Sequence, residues 1–358
     1  MEAGFPAYPL PFVSPSEGCM GVLELTRTLV DIESITGNEQ AVANYLYEYL
    51  ARLAEKTGGS VEQIEVEPKR SNVFAQWGKR PTVTLSTHMD TVPPFFASRE
   101  DETRIWGRGA CDTKGIIAAM INAAEGLLEA GESDFGLLFV VGEERNSAGA
   151  YHAARDPRGS EYLINGEPTG NRLALASKGA LRYEVAASGK MAHSAYPELG
   201  DSAIHKLIDA LADIRRIPLP VDPVLGASTL NIGTITGGCA PNVIADAASA
   251  EIMIRLVGDS TAIKEAVEHA VEGRAQLLEI LEIPALRLGA LEGMETTVVA
   301  YTTDIPAFAG QWGEPFLIGP GTIHVAHTLE EHVPKSELLA AVEIYQNMVR
   351  RLCKRASK

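Results

Sequence analysis

The sequence predicts an α/β fold: a mixed, mainly parallel sheet flanked by helices, interrupted by a smaller inserted α/β sandwich. Three observations carry that prediction. Short apolar strands alternate with amphipathic helices over the first half of the chain, the pattern of a layered parallel sheet. Near Leu181 the rhythm changes to half-buried, alternating strands set between two helices, and near Gly293 it changes back. At 358 residues the chain is also long for a single core, so two domains are expected.

Residues 1–20 begin MEAGFPAYPLP, are broken by prolines and carry no basic flank, so they read as a loose arm and not as a secretory signal. Residues 21–57 read as helix in two runs, GVLELTRTLVDIES and NEQAVANYLYEYLARLAEK. In the second run Val42, Leu46, Tyr49, Leu50 and Leu53 fall on one face. The β-rich runs VEQIEVE, NVFAQWG and TVTLSTH follow, then a helix-like GIIAAMINAAEGLLEA, the apolar strand GLLFVVG, and YLINGEP. The first part of the catalytic domain is therefore expected over 21–180. Within 181–292, LRYEVAASG, STLNIGTITGG and ASAEIMIRLV read as strands, and SAIHKLIDALADIRRI and STAIKEAVEHAVEG as helices. From 293 to 358 the chain is expected to return to the first domain with the strand PFLIG and the helix KSELLAAVEIYQNMVRRLCK.

A content of 46% hydrophobic and 22% charged residues excludes global disorder. No apolar run reaches the roughly 18 residues of a membrane helix. A net charge of −16 argues against nucleic acid or an anionic membrane as partner, since each phosphate contact needs a cation. Cys19, Cys111, Cys239 and Cys353 are scattered and form no C-x-x-C pair, which suggests reduced thiols and a cytoplasmic protein.

Residues able to bind metal sit just beyond strand after strand. His88 and Asp90, two apart in TVTLSTHMDTVP, point to the same side of an extended chain. GRGACDTKG places Asp112 just before a helix, VVGEERNS supplies Glu143 and Glu144, INGEPT supplies Glu167, and VAHTLEEH supplies His327. Each alone is ordinary: a His-x-Asp is usually a surface pair, and an acid at a strand end caps the next helix. Their shared topological position, where α/β sheets gather ligands, points instead to a metal site. Mixed nitrogen and carboxylate donors suit zinc or another divalent first-row ion.

The ordered series HMDTVP, GRGACDTKG, GEERNSAG, GEPT, MAHSAYPELGDSAI and GPGTIHVAHTLEEHV resembles the M20-type metallopeptidase family, which contains acetylornithine deacetylase, succinyl-diaminopimelate desuccinylase, aminoacylase and glutamate carboxypeptidase. The resemblance spans nearly the whole chain after the N-terminal arm. It implies a zinc-peptidase-like catalytic domain and a ferredoxin-like inserted domain that serves as lid and dimerisation surface. It also implies two divalent metal ions, zinc or else cobalt or manganese, bridged by Asp112 and a shared water. His88 and Glu167 would complete one ion, Glu144 and His327 the other; Asp90 would orient the His88 ring, and Glu143 would stay off the metals as general base.

The same resemblance gives His193 the task of reaching a neighbouring subunit's site to stabilise the oxyanion, which makes a homodimer part of the mechanism. Asn242 in APNVIAD and Arg255 in EIMIRL match positions that hold a substrate carboxylate, a task suited to a guanidinium fork. Lys178 in ASKGAL is a further cation for substrate binding. Without the resemblance, Arg255 reads as a rim ion pair and Asn242 as a turn residue.

The expected activity is deacylation of a small N-acyl amino acid of the acetylornithine type, in arginine or lysine biosynthesis. The alternatives are a di-, tri- or carboxypeptidase of the same family acting on short peptides, or succinyl-diaminopimelate desuccinylase. An inactive metal-binding scaffold is a third reading, against which the presence of both Glu143 and His193 argues. Thr113 stands where many relatives carry another small or acidic residue, so the strained peptide often found after the aspartate is not assumed. The 284–302 segment is short and is expected to lack a helix. His152, His205, His269, His324 and His332 need no functional role, and Cys111 reads as a packed thiol.

Overall fold

The computed structural model describes residues 20–357, so the expected arm, Met20 apart, lies outside the described residues. The chain forms two compact units. The first holds the chain up to His152 with Arg158–Glu161 and the stretch from Pro320 onward; the second holds Ala153–Pro157 and Tyr162–Gly319. The segment 181–292, expected as an insert, lies wholly within the second unit.

In the first unit the strands lie in the order Ser60–Glu67, Arg70–Trp77, Phe135–Val140, Val83–His88. Arg70–Trp77 runs antiparallel to both Ser60–Glu67 and Phe135–Val140, whereas Val83–His88 runs parallel to Phe135–Val140 with His88 opposite Val140. Every residue of those two parallel strands is buried, which explains why their apolar runs are nearly continuous. Helix Gln40–Thr57 packs on the Ser60–Trp77 hairpin with the predicted face inward: Val42, Leu46 and Leu50 are fully buried, and Gly58, left-handed at φ 79, ends it. Helix Lys114–Glu129 lies against Val22–Val30 and Lys335–Ala356, and its Ala118, Ala119, Ala123 and Ala124 are all fully buried. Small side chains on so many faces let several neighbours approach one helix.

Asn72, fully buried, ties the end of one strand to the turn beyond another. Its Oδ1 accepts from Val141 N at 3.1 Å and its Nδ2 donates to Gly149 O at 2.9 Å. Each backbone group left unpaired there would cost roughly 1–3 kcal/mol. The 141–149 turn is thus anchored before any functional group on it is considered.

The second unit contains two sheets' worth of strands. Tyr162–Asn165 runs parallel to Glu314–Leu317, which meets Leu173–Ser177; Leu286–Arg287 and Thr296–Val299 flank the latter. Residues 179–283 follow a βαββαβ order: Gly179–Ser188, Ala203–Ile214, Thr229–Gly237, Ala247–Leu256, Thr261–Val271 and Gln276–Ile283. Their four strands lie in the order Thr229–Gly237, Ala247–Leu256, Gly179–Ser188, Gln276–Ile283, all antiparallel. Leu181, Val185, Leu207, Leu211, Ile252 and Val267 form the core between this sheet and its two helices.

Leu173–Ser177, Gln276–Ile283 and Thr296–Val299 are the longest of the strands that escaped the sequence reading. No helix lies between 284 and 302, as expected. Among the described residues no helix is long and apolar enough to cross a membrane. The fold is α/β, with mixed strands flanked by helices.

Candidate metal centre

Because Val83–His88 and Phe135–Val140 run in register to the same edge, the residues that follow them emerge side by side. Asp90, fully buried, gathers both segments. Its carboxylate accepts Thr36 Oγ1 at 2.8 Å, Glu143 N at 3.1 Å and Glu144 N at 3.3 Å. Gly142, at φ 82, makes the turn before the two acids, and a Cβ there would meet Arg70 Nη2 at 2.9 Å. Arg70 is itself held by the buried Glu39 and by Glu67.

The His88 ring is fixed at both nitrogens. Nδ1 lies 3.0 Å from the Asp90 carbonyl oxygen and 3.5 Å from its Oδ1. A carbonyl oxygen only accepts, so Nδ1 carries the proton and Nε2 is left to face Asp112 Oδ1 at 3.0 Å. Glu143 Oε2 stands farther off, 4.0 Å from the same Nε2. The other oxygen of Asp112 faces His327 Nε2 at 3.3 Å, and that nitrogen is 3.0 Å from Glu144 Oε2. The Asp112–Thr113 peptide is cis, and the Thr113 hydroxyl donates to the His88 carbonyl at 2.5 Å and makes no helix cap.

Charge is out of balance here. Asp90, Asp112, Glu143 and Glu144 converge on two imidazoles. Burial alone would lower the His88 pKa, yet hydrogen bonds to Asp112 and Asp90 and the charge of Glu143 hold it well above its ordinary value. Hydrogen bonds to Asp112 and Glu144 push His327 up to about 10 against its partial burial. Burial works to raise the Asp112 carboxyl, but the two imidazoles hold it well below the usual carboxylate range. Burial also raises Glu144, only partly offset by His327.

Both rings therefore demand positive charge at Nε2, which a proton or a metal ion can supply. The donor set fits an ion: ligand atoms of His88, Asp112 and Glu144 all lie within 4.8 Å of one another. Imidazole nitrogen with carboxylate oxygen is the chemistry of zinc, cobalt or manganese sites.

The remaining expected residues lie in the second unit. Glu167 follows strand Tyr162–Asn165 and is 4% exposed. A short ribbon pairs Ala192–His193 with Val243–Ile244, and Asn242 O accepts from Ser194 N at 3.0 Å, so His193 and Asn242 share one corner. The exposed His193 accepts Ala195 N at Nδ1, 3.1 Å away; its neutral form therefore carries the proton on Nε2. Arg255, on strand Ala247–Leu256, is half-buried, and its guanidinium has no hydrogen bond or ion pair among the described residues. Burial alone pulls its pKa down. Lys178 already donates its ammonium to Ala227 O at 2.5 Å.

Cys111 is a packed thiol: fully buried, donating to Thr322 O at 3.4 Å, and pushed well above the ordinary thiol pKa by burial and then by Asp112. Sequence reasoning missed Thr36, Arg108 and Glu331, which buttress the centre without belonging to it. The one available signal was the second adjacent acid pair, Glu330–Glu331, in VAHTLEEH.

A family model described as Peptidase family M20/M25/M40 matches residues 84–351. A peptidase M20 domain-containing protein of Schizosaccharomyces pombe is 38% identical over 339 residues, covering 92% of this chain and 84% of that one. A protein named "Probable carboxypeptidase" from Ajellomyces dermatitidis is 35% identical over 379 residues, covering 93% of this chain and 87% of that one. Among solved structures, aminopeptidase PepT from Bacillus cereus matches with a TM-score of 0.79 at 20% identity, over 93% of this chain and 98% of that one; this is a likeness of fold.

The Asp90 geometry leads to a first expected outcome. Asp90→Ala should lower zinc affinity ten- to a hundredfold, roughly the effect of removing a partner that orients a ligand. Chelator competition measures it, and an unchanged affinity in a folded variant would show that Asp90 does not organise the centre.

Proposed function

The chain belongs to peptidase family M20/M25/M40, and we propose that within it the enzyme is a dinuclear metallopeptidase of the carboxypeptidase kind, releasing the C-terminal residue of short peptides. The chain is a metal-dependent hydrolase of amide or peptide bonds. The observation that carries the finer reading is Arg255. A half-buried guanidinium with no acidic partner among the described residues is suited to a ligand that brings its own carboxylate, and a bidentate carboxylate matches its fork.

Both a C-terminal peptide bond and an N-acyl amino acid place a carboxylate beside the scissile amide. Sequence motifs alone favour the acetylornithine type of deacylase. Relatives named as carboxypeptidases at 35% identity over most of their length support the peptidase instead. Deacylation of N-acyl amino acids is therefore the second reading.

Asp112 would bridge the two ions, offering one oxygen toward His88 and the other toward His327. Glu167 would complete the His88 ion, and Glu144 the His327 ion. When bound, the ions would polarise the amide carbonyl and lower the pKa of a water toward neutrality. Glu143, 4.0 Å from His88 Nε2 and outside the ligand cluster, would take that water's proton and pass it to the departing amine. His193 would donate its Nε2–H to the oxyanion from a partner subunit, in a homodimer formed through the 181–292 domain. The βαββαβ order of that domain supports a ferredoxin-like fold, and its role as lid and dimerisation surface belongs to the same proposal. Asn242, beside His193, and Arg255 would hold the substrate carboxylate. Lys178, tied to Ala227, is better placed to brace the loop than to bind substrate. A cytoplasmic location belongs to the same proposal and is supported by the free Cys111, Cys239 and Cys353.

Three outcomes test this reading. Peptides with a free C-terminus should be cleaved at least about a hundredfold more efficiently than their C-terminal amides, and Arg255→Met should erase that preference mainly through KM; equal cleavage of acid and amide would refute the carboxylate requirement. A parallel assay of acetylornithine and other N-acetyl amino acids ranks the second reading against the first. Glu143→Ala should keep its metal and lose roughly 10²–10⁴ in kcat, whereas Glu144→Ala should lose metal affinity itself; equal metal loss in both would remove the division of roles. Mixing His193→Ala chains with Glu143→Ala chains should restore activity, because one site of the mixed dimer is intact. No recovery after verified subunit exchange would place His193 in its own chain's site.

A further inference from the structure

We propose that Glu331 is a positioning residue that fixes Asp112 relative to His327 and thereby sets how tightly the centre holds metal. The inference rests on the metal reading above and concerns a residue outside the ligand set. Glu331 is fully buried. Its Oε1 accepts Gly109 N at 2.9 Å, Asp112 N at 3.2 Å and Cys111 N at 3.3 Å, while its Oε2 receives Arg108 Nη1. Its backbone carbonyl takes Gly107 N at 3.1 Å. One residue thus holds the 107–112 loop by main chain at one end and by side chain at the other.

The latch is aligned from outside. Strand His332–Pro334 pairs antiparallel with Arg104–Trp106, opposing His332 to Trp106, so the register places Glu331 beneath the loop. Arg108 is locked in turn by Pro94 O at 3.2 Å and by the Phe96 ring, 5.1 Å from the guanidinium carbon. Cys111, beside Asp112, donates to Thr322 O, and a Cβ on Gly321 would meet its sulfur at 2.5 Å. The segments carrying Asp112 and His327 come from distant parts of the sequence, and Glu331 lies four residues after His327. Backbone N–H groups converging on a carboxylate make a rigid cradle, here inverted so that the anion orders the loop. Neighbouring Glu330, its side chain 78% exposed, only pairs with Arg99 at 3.8 Å.

A purely structural Glu331 would alter unfolding but leave the metal affinity of the folded chain unchanged. The test measures zinc affinity by chelator competition for wild type, Glu331→Gln and Glu331→Ala, with far-UV circular dichroism as the check on folding. Hydrogen exchange across 109–112 is followed in the zinc-free wild-type chain. Glu331→Gln, which keeps an acceptor oxygen, should weaken zinc about tenfold, and Glu331→Ala up to about a hundredfold. The 109–112 amides should be protected before zinc is added. A folded variant with wild-type zinc affinity, or unprotected amides in the zinc-free wild type, overturns the proposal; if neither variant folds, the exchange result decides alone. A wild-type chain that binds no zinc is a separate failure, which takes down the metal reading and this proposal with it.

Discussion

The centre depends on a buried anion that must be satisfied. Asp90 has no access to water, so its carboxylate is tolerable only while Thr36, Glu143 N and Glu144 N donate to it. Meeting that requirement brings two parallel strands' ends together and aims two adjacent side chains apart. The same residue's carbonyl sets the tautomer of His88, which decides that Nε2 faces Asp112. Backbone, ring orientation and ligand geometry thus share one cause.

Much of this was legible in the sequence because the signals are local. The inward face of Gln40–Thr57 follows from 3.6-residue spacing; His88 ends a strand, Glu143 and Glu144 stand just past one, and Asp112 stands just before a helix. What stayed hidden is non-local. Gln276–Ile283 is an edge strand whose register slips between Glu279 and Leu281, so its apolar residues do not alternate, and Leu278 is 60% exposed. Glu279 and Glu282 are paired with Lys264, which no sequence spacing announces. Thr36, Arg108 and Glu331 act on the centre across long stretches of chain, so periodicity could not find them.

Adjacent acids occur twice at this centre, and each time the pair divides. Glu144 joins the ligand cluster while Glu143 stands off it; Glu331 is enclosed while Glu330 faces solvent. In a turn, consecutive side chains leave the backbone in different directions, so two like residues meet two environments. The charge of each is then set by what surrounds it: imidazoles, backbone N–H groups or water.

In the proposed enzyme two cations answer the excess of carboxylate around His88 and His327. Anomalous diffraction at the zinc edge from zinc-loaded crystals tests this most directly. Two peaks about 3.5–4 Å apart, one next to His88 and one next to His327 with Asp112 between them, are the expected result. A single peak confined to His88, Asp112 and Glu144, or none at all, would contradict it.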